Sequence, residues 1–224
     1  MDVKKNARLR ELISQPGIVV APGCHDGLTA RLVQQNGFQV CYMGGNGTMA
    51  SYLGIPDIGL GTATEMITRA RYLAEILDIP LVCDADTGYG DVSSVVRTVR
   101  EYEAAGVSGI HFEDQVMPKK CGSMGGVQVV PVEEICAKIK AALEARRDPN
   151  FMIIARTDCF NTLGIDEAID RCKKFWDVGA DMLMPENFTK REDVERVARE
   201  LVNYKSPYRD DKPIVLYDVC EFEE

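Results

Sequence analysis

The chain has 224 residues, 46% of them hydrophobic and 27% charged, an ordinary globular composition with enough apolar residues for one sizeable core. With 26 basic against 35 acidic residues the formal net charge is −9, which argues against a nucleic-acid surface or a polybasic membrane patch. No apolar run reaches the roughly 18–20 residues needed to span a bilayer, and the N-terminus carries no apolar signal core, so a cytoplasmic protein of one domain over 1–224 is expected.

The first residues, MDVKKNARLRELISQ, read as a charged amphipathic helix. From there the pattern alternates. Short apolar runs at 17–21 (GIVVA), 40–43, 79–85, 109–114, 151–157, 181–186 and 213–219 predict strands. Amphipathic segments at about 27–36, 64–77, 92–105, 132–146, 165–178 and 189–202 lie between them. Spacings of three and four, as in Val95, Val96, Val99 and Tyr102, predict helices with one buried face. Near-continuous apolar strands alternating with helices predict a parallel sheet built from βαβ units.

An open doubly wound sheet and a closed (β/α)8 TIM barrel both fit that alternation. The polar residues tilt the choice. Asp84 and Asp86, Glu113 and Asp114, Arg156 and Asp158, Glu186 and Asp218 all fall at the C-terminal ends of runs. Charged groups from many strands converging on one face is what a barrel produces. Seven strands are expected where a closed barrel has eight, so the expected architecture is an α/β barrel truncated after its seventh strand. The eight cysteines are scattered with no CxxC pair, which favours neither a zinc site nor a disulfide framework.

Five strings carry candidate chemistry. In VCDADTGYGD (82–91), Asp84 and Asp86 are two residues apart and share one side of a strand. Two adjacent carboxylates repel unless a cation or a proton lies between them. Oxygen-only ligands favour Mg²⁺, or Mn²⁺, over zinc. Alone, such a pair is more often a solvated acidic turn. HFEDQ (111–115) brings Glu113 beside it on the next strand, and a third carboxylate strengthens the cation reading; His111 reads as a satisfied strand histidine.

MPKKCGSMGG (117–126) is a basic, Gly-rich loop able to close over an anion, with Cys121 beside two lysines that would lower a thiol pKa. An exposed loop with an incidental cysteine fits equally well. Arg156 in ART (155–157) can grip a carboxylate with two prongs or pair with an internal acid such as Glu186. GGNGT (44–48), with Gly44, Gly45 and Asn46 after Tyr42, can offer N–H groups to an anion, although a plain turn is commoner. It is not a dinucleotide fingerprint.

Taken in order, PG (22–23) with Asp26, LGIPDIG (53–59), DADTGYG (84–90), HFEDQ, KKCG (119–122), ARTD (155–158) and PE (185–186) resemble the isocitrate lyase and phosphoenolpyruvate mutase superfamily, over about 16–222. The resemblance implies a (β/α)8 barrel, Mg²⁺ and an enolate intermediate. It implies Asp57, Asp84, Asp86 and Glu113 as metal-holding acids, and Cys121 as the loop proton donor of the carbon–carbon lyases. It implies Arg156 and Glu186 as catalytic pocket residues, with Tyr42, Gly44, Gly45, Asn46, Gly122, Ser123 and Asp218 lining the substrate.

The implied activity is that of a 2-methylisocitrate lyase-like enzyme acting on a small 2-hydroxy di- or tricarboxylate. Hydrolysis or decarboxylation of an oxaloacetate-like acid, and an inactive metabolite-binding barrel, are the alternatives. The family also implies a homotetramer. Three departures fall in the substrate half: Ser123 replaces the loop histidine, Gly44 replaces a serine, and Asp218 with Cys220 replaces an Asn and a Thr or Ser.

Overall fold

The computed structural model describes residues 2–122 and 124–216. Six parallel strands lie in sequence order: β1 (Gly23–Cys24), β2 (Cys41–Met43), β3 (Leu81–Asp84), β4 (Gly109–Glu113), β5 (Met152–Thr157) and β6 (Met182–Pro185). Neighbours in the sheet are neighbours in the chain, so every connection winds the same way round. The sheet is open, and a seventh strand begins where Leu183 N–H donates to Ile214 O at 2.9 Å and Leu216 N–H donates to Leu183 O at 2.8 Å. This is the incomplete parallel α/β barrel the alternation predicts.

One strand assignment is corrected. The expected strand at 17–21 has no strand partner among the described residues, and pairing with β2 starts only where Tyr42 N–H meets Pro22 O. The segment still alternates: Val19 and Ala21 pack inward, while Ile18 is 92% exposed. An alternating apolar run reports a half-buried extended chain, not whether a neighbour supplies hydrogen bonds.

Seven of the described α-helices follow the predicted segments, and two short ones, at 45–48 and 160–163, are not predicted. In chain order the α-helices are α1 (Val3–Ser14), α2 (Gly27–Gln35), the one-turn α3 (Gly45–Thr48), α4 (Ala63–Ile76), α5 (Val92–Ala104), α6 (Val132–Ala145), the short α7 (Phe160–Leu163), α8 (Ile165–Asp177) and α9 (Arg191–Val202). Their starts are written locally. Asp26 and Thr29 form a capping box on α2, Thr62 and Glu65 one on α4, and Asp91 caps α5. No helix among the described residues is long and apolar enough to cross a membrane.

Strand pleating creates two apolar layers. Cys41, Met43, Cys83, Ile110, Phe112, Ile153, Ala155 and Leu183 point outward, beneath the helices. The alternate residues point into the barrel, where Val40, Val82, Met152, Ile154, Met182 and Met184 form an apolar floor. Helix α1 closes that floor with Leu9 and Leu12. It is tied down by Lys5 Nζ, which donates to Ala74 O and Leu77 O at the end of α4 (2.8 Å each), and by Asn6 Nδ2 on Asp148 Oδ2 at 2.9 Å. Two open carbonyls at the end of α4 are thereby satisfied.

Candidate active site

One pleat above the floor the inward positions turn polar: Tyr42 on β2, Asp84 on β3, His111 and Glu113 on β4, Arg156 on β5, and Glu186 just past β6. Strand register therefore carries these residues onto one rim, the C-terminal mouth of the barrel.

Asp84 is locked at both oxygens. Its Oδ2 accepts Gly45 N–H at 3.1 Å and its Oδ1 accepts Asp86 N–H at 2.8 Å. Gly45 is required there, since a Cβ would come 2.7 Å from Asp84 Oδ2. Asp86 stands in the left-handed region at φ 48°, a conformation non-glycine residues rarely keep without support. The support is dense. Tyr102 O–H donates to Asp84 O (2.9 Å), Glu113 N–H to Asp86 O (2.8 Å), Thr98 O–H to Gly88 O (3.1 Å) and Lys138 Nζ to Thr87 O (3.3 Å). Gly88, at φ 85° with Val95 2.6 Å from a would-be Cβ, makes the turn possible.

The acids converge on Lys119. Its ammonium is 2.7 Å from Asp57 Oδ1, 2.6 Å from Asp86 Oδ1 and 3.9 Å from Glu113 Oε1, and the residue is 2% exposed. Burial disfavours that charge, but Asp84, Glu113, Asp86 and Asp57 more than offset it and raise the lysine pKa. The quartet of acids expected from sequence is thus assembled around an internal cation. Among the described residues no three acids form a ready-made metal cage.

The carboxylates respond unequally. Burial pushes Asp84 upward, yet nearby His111, Lys119 and Arg156 and the Asp86 N–H draw it down to about 2. Since His111 is itself held at about 4, mainly by burial, it is neutral at pH 7, and Lys119 and Arg156 are the cations that act on Asp84 there. Burial and the Asp84 charge push Asp86 up to about 6 against Lys119. Burial drives Glu113 well above the carboxylate range. Glu113 is 1% exposed, and among the described residues its carboxylate makes no hydrogen bond, only ion-pair contacts of 3.9 Å to Lys119 and 3.5 Å to Arg156. His111 Nε2 is 2.8 Å from the Tyr42 hydroxyl, but its buried Nδ1 finds no hydrogen-bond partner among the described residues, so the expected satisfied strand histidine is satisfied at one nitrogen alone.

Arg156 pairs with Asp158, not primarily with Glu186: Nε to Oδ1 is 2.9 Å and Nη2 to Oδ2 is 3.2 Å. Glu186 contributes to the acid field that raises the arginine pKa. Asp114 is the internally paired acid, accepting from Thr157 O–H at 2.6 Å, Asp158 N–H at 3.0 Å and Arg171 at 3.1 Å. Gly122 lies directly over Arg156. A Cβ there would stand 2.7 Å from Arg156 Nη2, 3.3 Å from Asp158 Oδ1 and 3.4 Å from Asn187 Nδ2. The loop bearing Cys121 therefore sits across the arginine.

The two lysines beside Cys121 are engaged elsewhere, Lys119 with the acids and Lys120 Nζ with Gly126 O at 3.3 Å. Gly44 packs on the Tyr42 ring, 3.2 Å from a would-be Cβ, and Asn46 is exposed on α3. Ser123 and Asp218 lie outside the described residues. Sequence reasoning missed Lys119, Gln115 and Asn187 as parts of the rim, and it placed Asp158 at a strand end without a role. Asn187 has the signature of a placed residue, a left-handed φ of 74° and a buried Nδ2 with no hydrogen-bond partner, but neither is visible in a sequence.

Comparison with known proteins identifies this architecture. The phosphoenolpyruvate phosphomutase family profile matches residues 9–210. A 2,3-dimethylmalate lyase of Eubacterium barkeri is 49% identical over 198 residues, covering 88% of this chain and 68% of that protein. A probable 2-methylisocitrate lyase of Corynebacterium glutamicum is 45% identical over 183 residues, covering 82% of this chain and 60% of that one. Among solved structures, an oxaloacetate acetylhydrolase bound to 3,3-difluorooxalacetate superposes with a TM-score of 0.87 at 36% identity, covering 96% of this chain and 71% of that one. A phosphonopyruvate hydrolase complexed with oxalate and Mg²⁺ superposes at 0.80 and 29% identity, covering 97% and 72%. The chain spans 55% to 71% of the length of the curated relatives it matches. It belongs to the phosphoenolpyruvate phosphomutase family, within the isocitrate lyase superfamily of parallel α/β barrels.

Proposed function

We propose that this chain carries the active site of a Mg²⁺-dependent carbon–carbon lyase that cleaves a small 2-hydroxy di- or tricarboxylate into a 2-oxo acid and a second carboxylic acid. The observation that carries the reading is the placement of the Cys121 loop over Arg156, beside four buried acids. A carboxylate grip, a proton donor and an oxygen-donor cluster then share one mouth. The 2,3-dimethylmalate lyase and 2-methylisocitrate lyase relatives support it.

The donor set suits Mg²⁺ or Mn²⁺. Asp57, Asp84, Asp86 and Glu113 offer only oxygen, and the Glu113 carboxylate is buried without a hydrogen bond among the described residues. Bound there, with Lys119 withdrawn, Mg²⁺ would screen the charge that develops on the substrate oxygens. Arg156, oriented by Asp158, holds a substrate carboxylate. A base takes the hydroxyl proton, the C–O bond becomes C=O, and the C–C electron pair passes to the departing fragment as an enolate. The Cys121 thiol protonates that carbon, and the thiolate afterwards recovers a proton. The closed loop keeps water from the enolate. The surrounding acids make the pocket hostile to anions unless the cation is present, which couples substrate binding to Mg²⁺.

The test is a panel of 2-hydroxy di- and tricarboxylates, including 2,3-dimethylmalate and 2-methylisocitrate, assayed for 2-oxo acid release with and without Mg²⁺. Mg²⁺-dependent release from at least one is expected, and none from any member overturns the reading. The oxaloacetate acetylhydrolase likeness favours a second reading, hydrolysis of oxaloacetate. Acetate plus oxalate from oxaloacetate, without lyase turnover, would select it.

A further inference from the structure

Gln115 follows the two acids at the end of β4 and is 2% exposed. Its backbone pairs in antiparallel fashion with Val129. Val116 N–H donates to Gln128 O and Val130 N–H to Asp114 O, both at 2.8 Å. The excursion 116–128 is therefore pinned at its base. The Gln115 side chain then reaches into the excursion itself. Its Nε2 donates to Lys120 O at 2.9 Å, and its Oε1 accepts Lys120 N–H at 3.0 Å. One amide thus matches both backbone groups of the residue between Lys119 and Cys121.

The same Nε2 also donates to Asp158 Oδ2 at 2.6 Å. Asp158 is the acid that grips Arg156 at 2.9 and 3.2 Å. Asp158 is in turn fixed from behind, since its N–H donates to Asp114 and Asp114 is held by Arg171. A single side chain therefore ties the position of the Cys121 loop to the acid that orients the carboxylate-binding arginine. Nε2 spends both its hydrogens on this link, and Lys120 cannot rise without leaving a buried amide unpaired.

We propose that Gln115 is a positioning residue, a latch that holds the Cys121 loop down in register with Arg156 and transmits occupancy of the arginine to the loop through Asp158. A carboxylate arriving at Arg156 competes for the guanidinium that Asp158 holds, which redistributes the Asp158 hydrogen bonds and so alters the latch. This rests on the proposed function only in giving Arg156 a substrate carboxylate.

The experiment follows alkylation of Cys121 by iodoacetamide, read on the Cys121 peptide by mass spectrometry, with and without oxalate plus Mg²⁺. Three proteins are compared: wild type, Gln115→Met, which keeps the shape but loses all three bonds, and Gln115→Glu, which keeps an acceptor and loses the donors. The wild type should alkylate slowly and change its rate when oxalate binds. Gln115→Met should alkylate at least tenfold faster, with no response to oxalate that calorimetry still shows to bind. Gln115→Glu should behave likewise. Unchanged rates and an intact oxalate response in a folded variant overturn the latch. So does loss of folding in both variants, which would make Gln115 structural. If oxalate fails to bind the wild type, the functional reading fails. The rate comparison without ligand then still decides whether Gln115 holds the loop.

Discussion

The floor and the rim of this barrel are built by the same strands one pleat apart, yet they solve opposite problems. At the floor, Val82, Met152, Ile154, Met182 and Met184 pack against Leu9 and Leu12 of α1 and need only volume and shape. At the rim, Asp84, Glu113, Arg156 and Glu186 sit nearly as deep and must neutralise one another. The floor gives the rim its precision, because each charged side chain is attached to a strand that cannot shift without opening an apolar layer. The rim returns little stability, since buried ion pairs rarely recover their desolvation cost. Stability should therefore come from the floor and chemistry from the rim.

Four changes break or sharpen that contrast. The largest effect is expected at Arg156→Met, which strips both Asp158 and Glu113 of their shared guanidinium. It should cost about 3–5 kcal/mol in urea unfolding and abolish turnover, because stranding one partner of a buried pair costs more than the pair is worth. A loss under 1 kcal/mol would mean that water reaches the rim. Cys121→Ser should lower kcat about a hundred- to ten-thousandfold with the urea midpoint unmoved, if the half-buried thiol is the proton donor we propose. Equal falls in kcat and stability would place it with the floor.

Leu9→Ala should do the reverse, costing about 3 kcal/mol while kcat/KM stays within about threefold. A large loss of activity there would show that the rim depends on the α1 plug more than on its own strands.

The smallest effect concerns pH. His111 is held by burial at about 4, below its ordinary 6.5, so the folded protein refuses a proton that the unfolded chain accepts. Its contribution is present above pH 6.5 and is lost as pH falls toward 4. Asp86 runs the other way. Its pKa is raised to about 6, so it weakens the fold above pH 6 and is relieved as pH falls toward 3.8. Unfolding of wild type and His111→Gln at pH 7 and 4.5 separates the two. The wild-type advantage should shrink by about 2 kcal/mol at the lower pH. No change in the difference would mean that the imidazole titrates normally.

Much of the fold was legible because it is written in short-range pattern. Apolar runs alternating with amphipathic segments located five of the six strands and the long helices, and caps such as Asp26, Thr62 and Asp91 marked helix starts. The run at 17–21 misled because its alternation reflects burial, while pairing depends on where Tyr42 on the neighbouring strand can reach. At the rim, the inward direction of Asp84, Glu113 and Arg156 followed from period two along strands. Lys119 lay inside a recognised string, yet its partners come from other elements. Nothing local aims the Lys119 side chain at Asp57 and Asp86 instead of at Cys121.

The sequence by itself determined the parallel α/β architecture, the strand-end acids and the family, because pleating, helical periodicity and motif order are properties of neighbouring residues. Only the tertiary structure decided how the charges are balanced. Whether a buried acid meets Lys119, Arg156 or no donor at all depends on which loops fold back over the barrel mouth. In a site shielded from water, that arrangement sets each group's proton affinity and so what it can do.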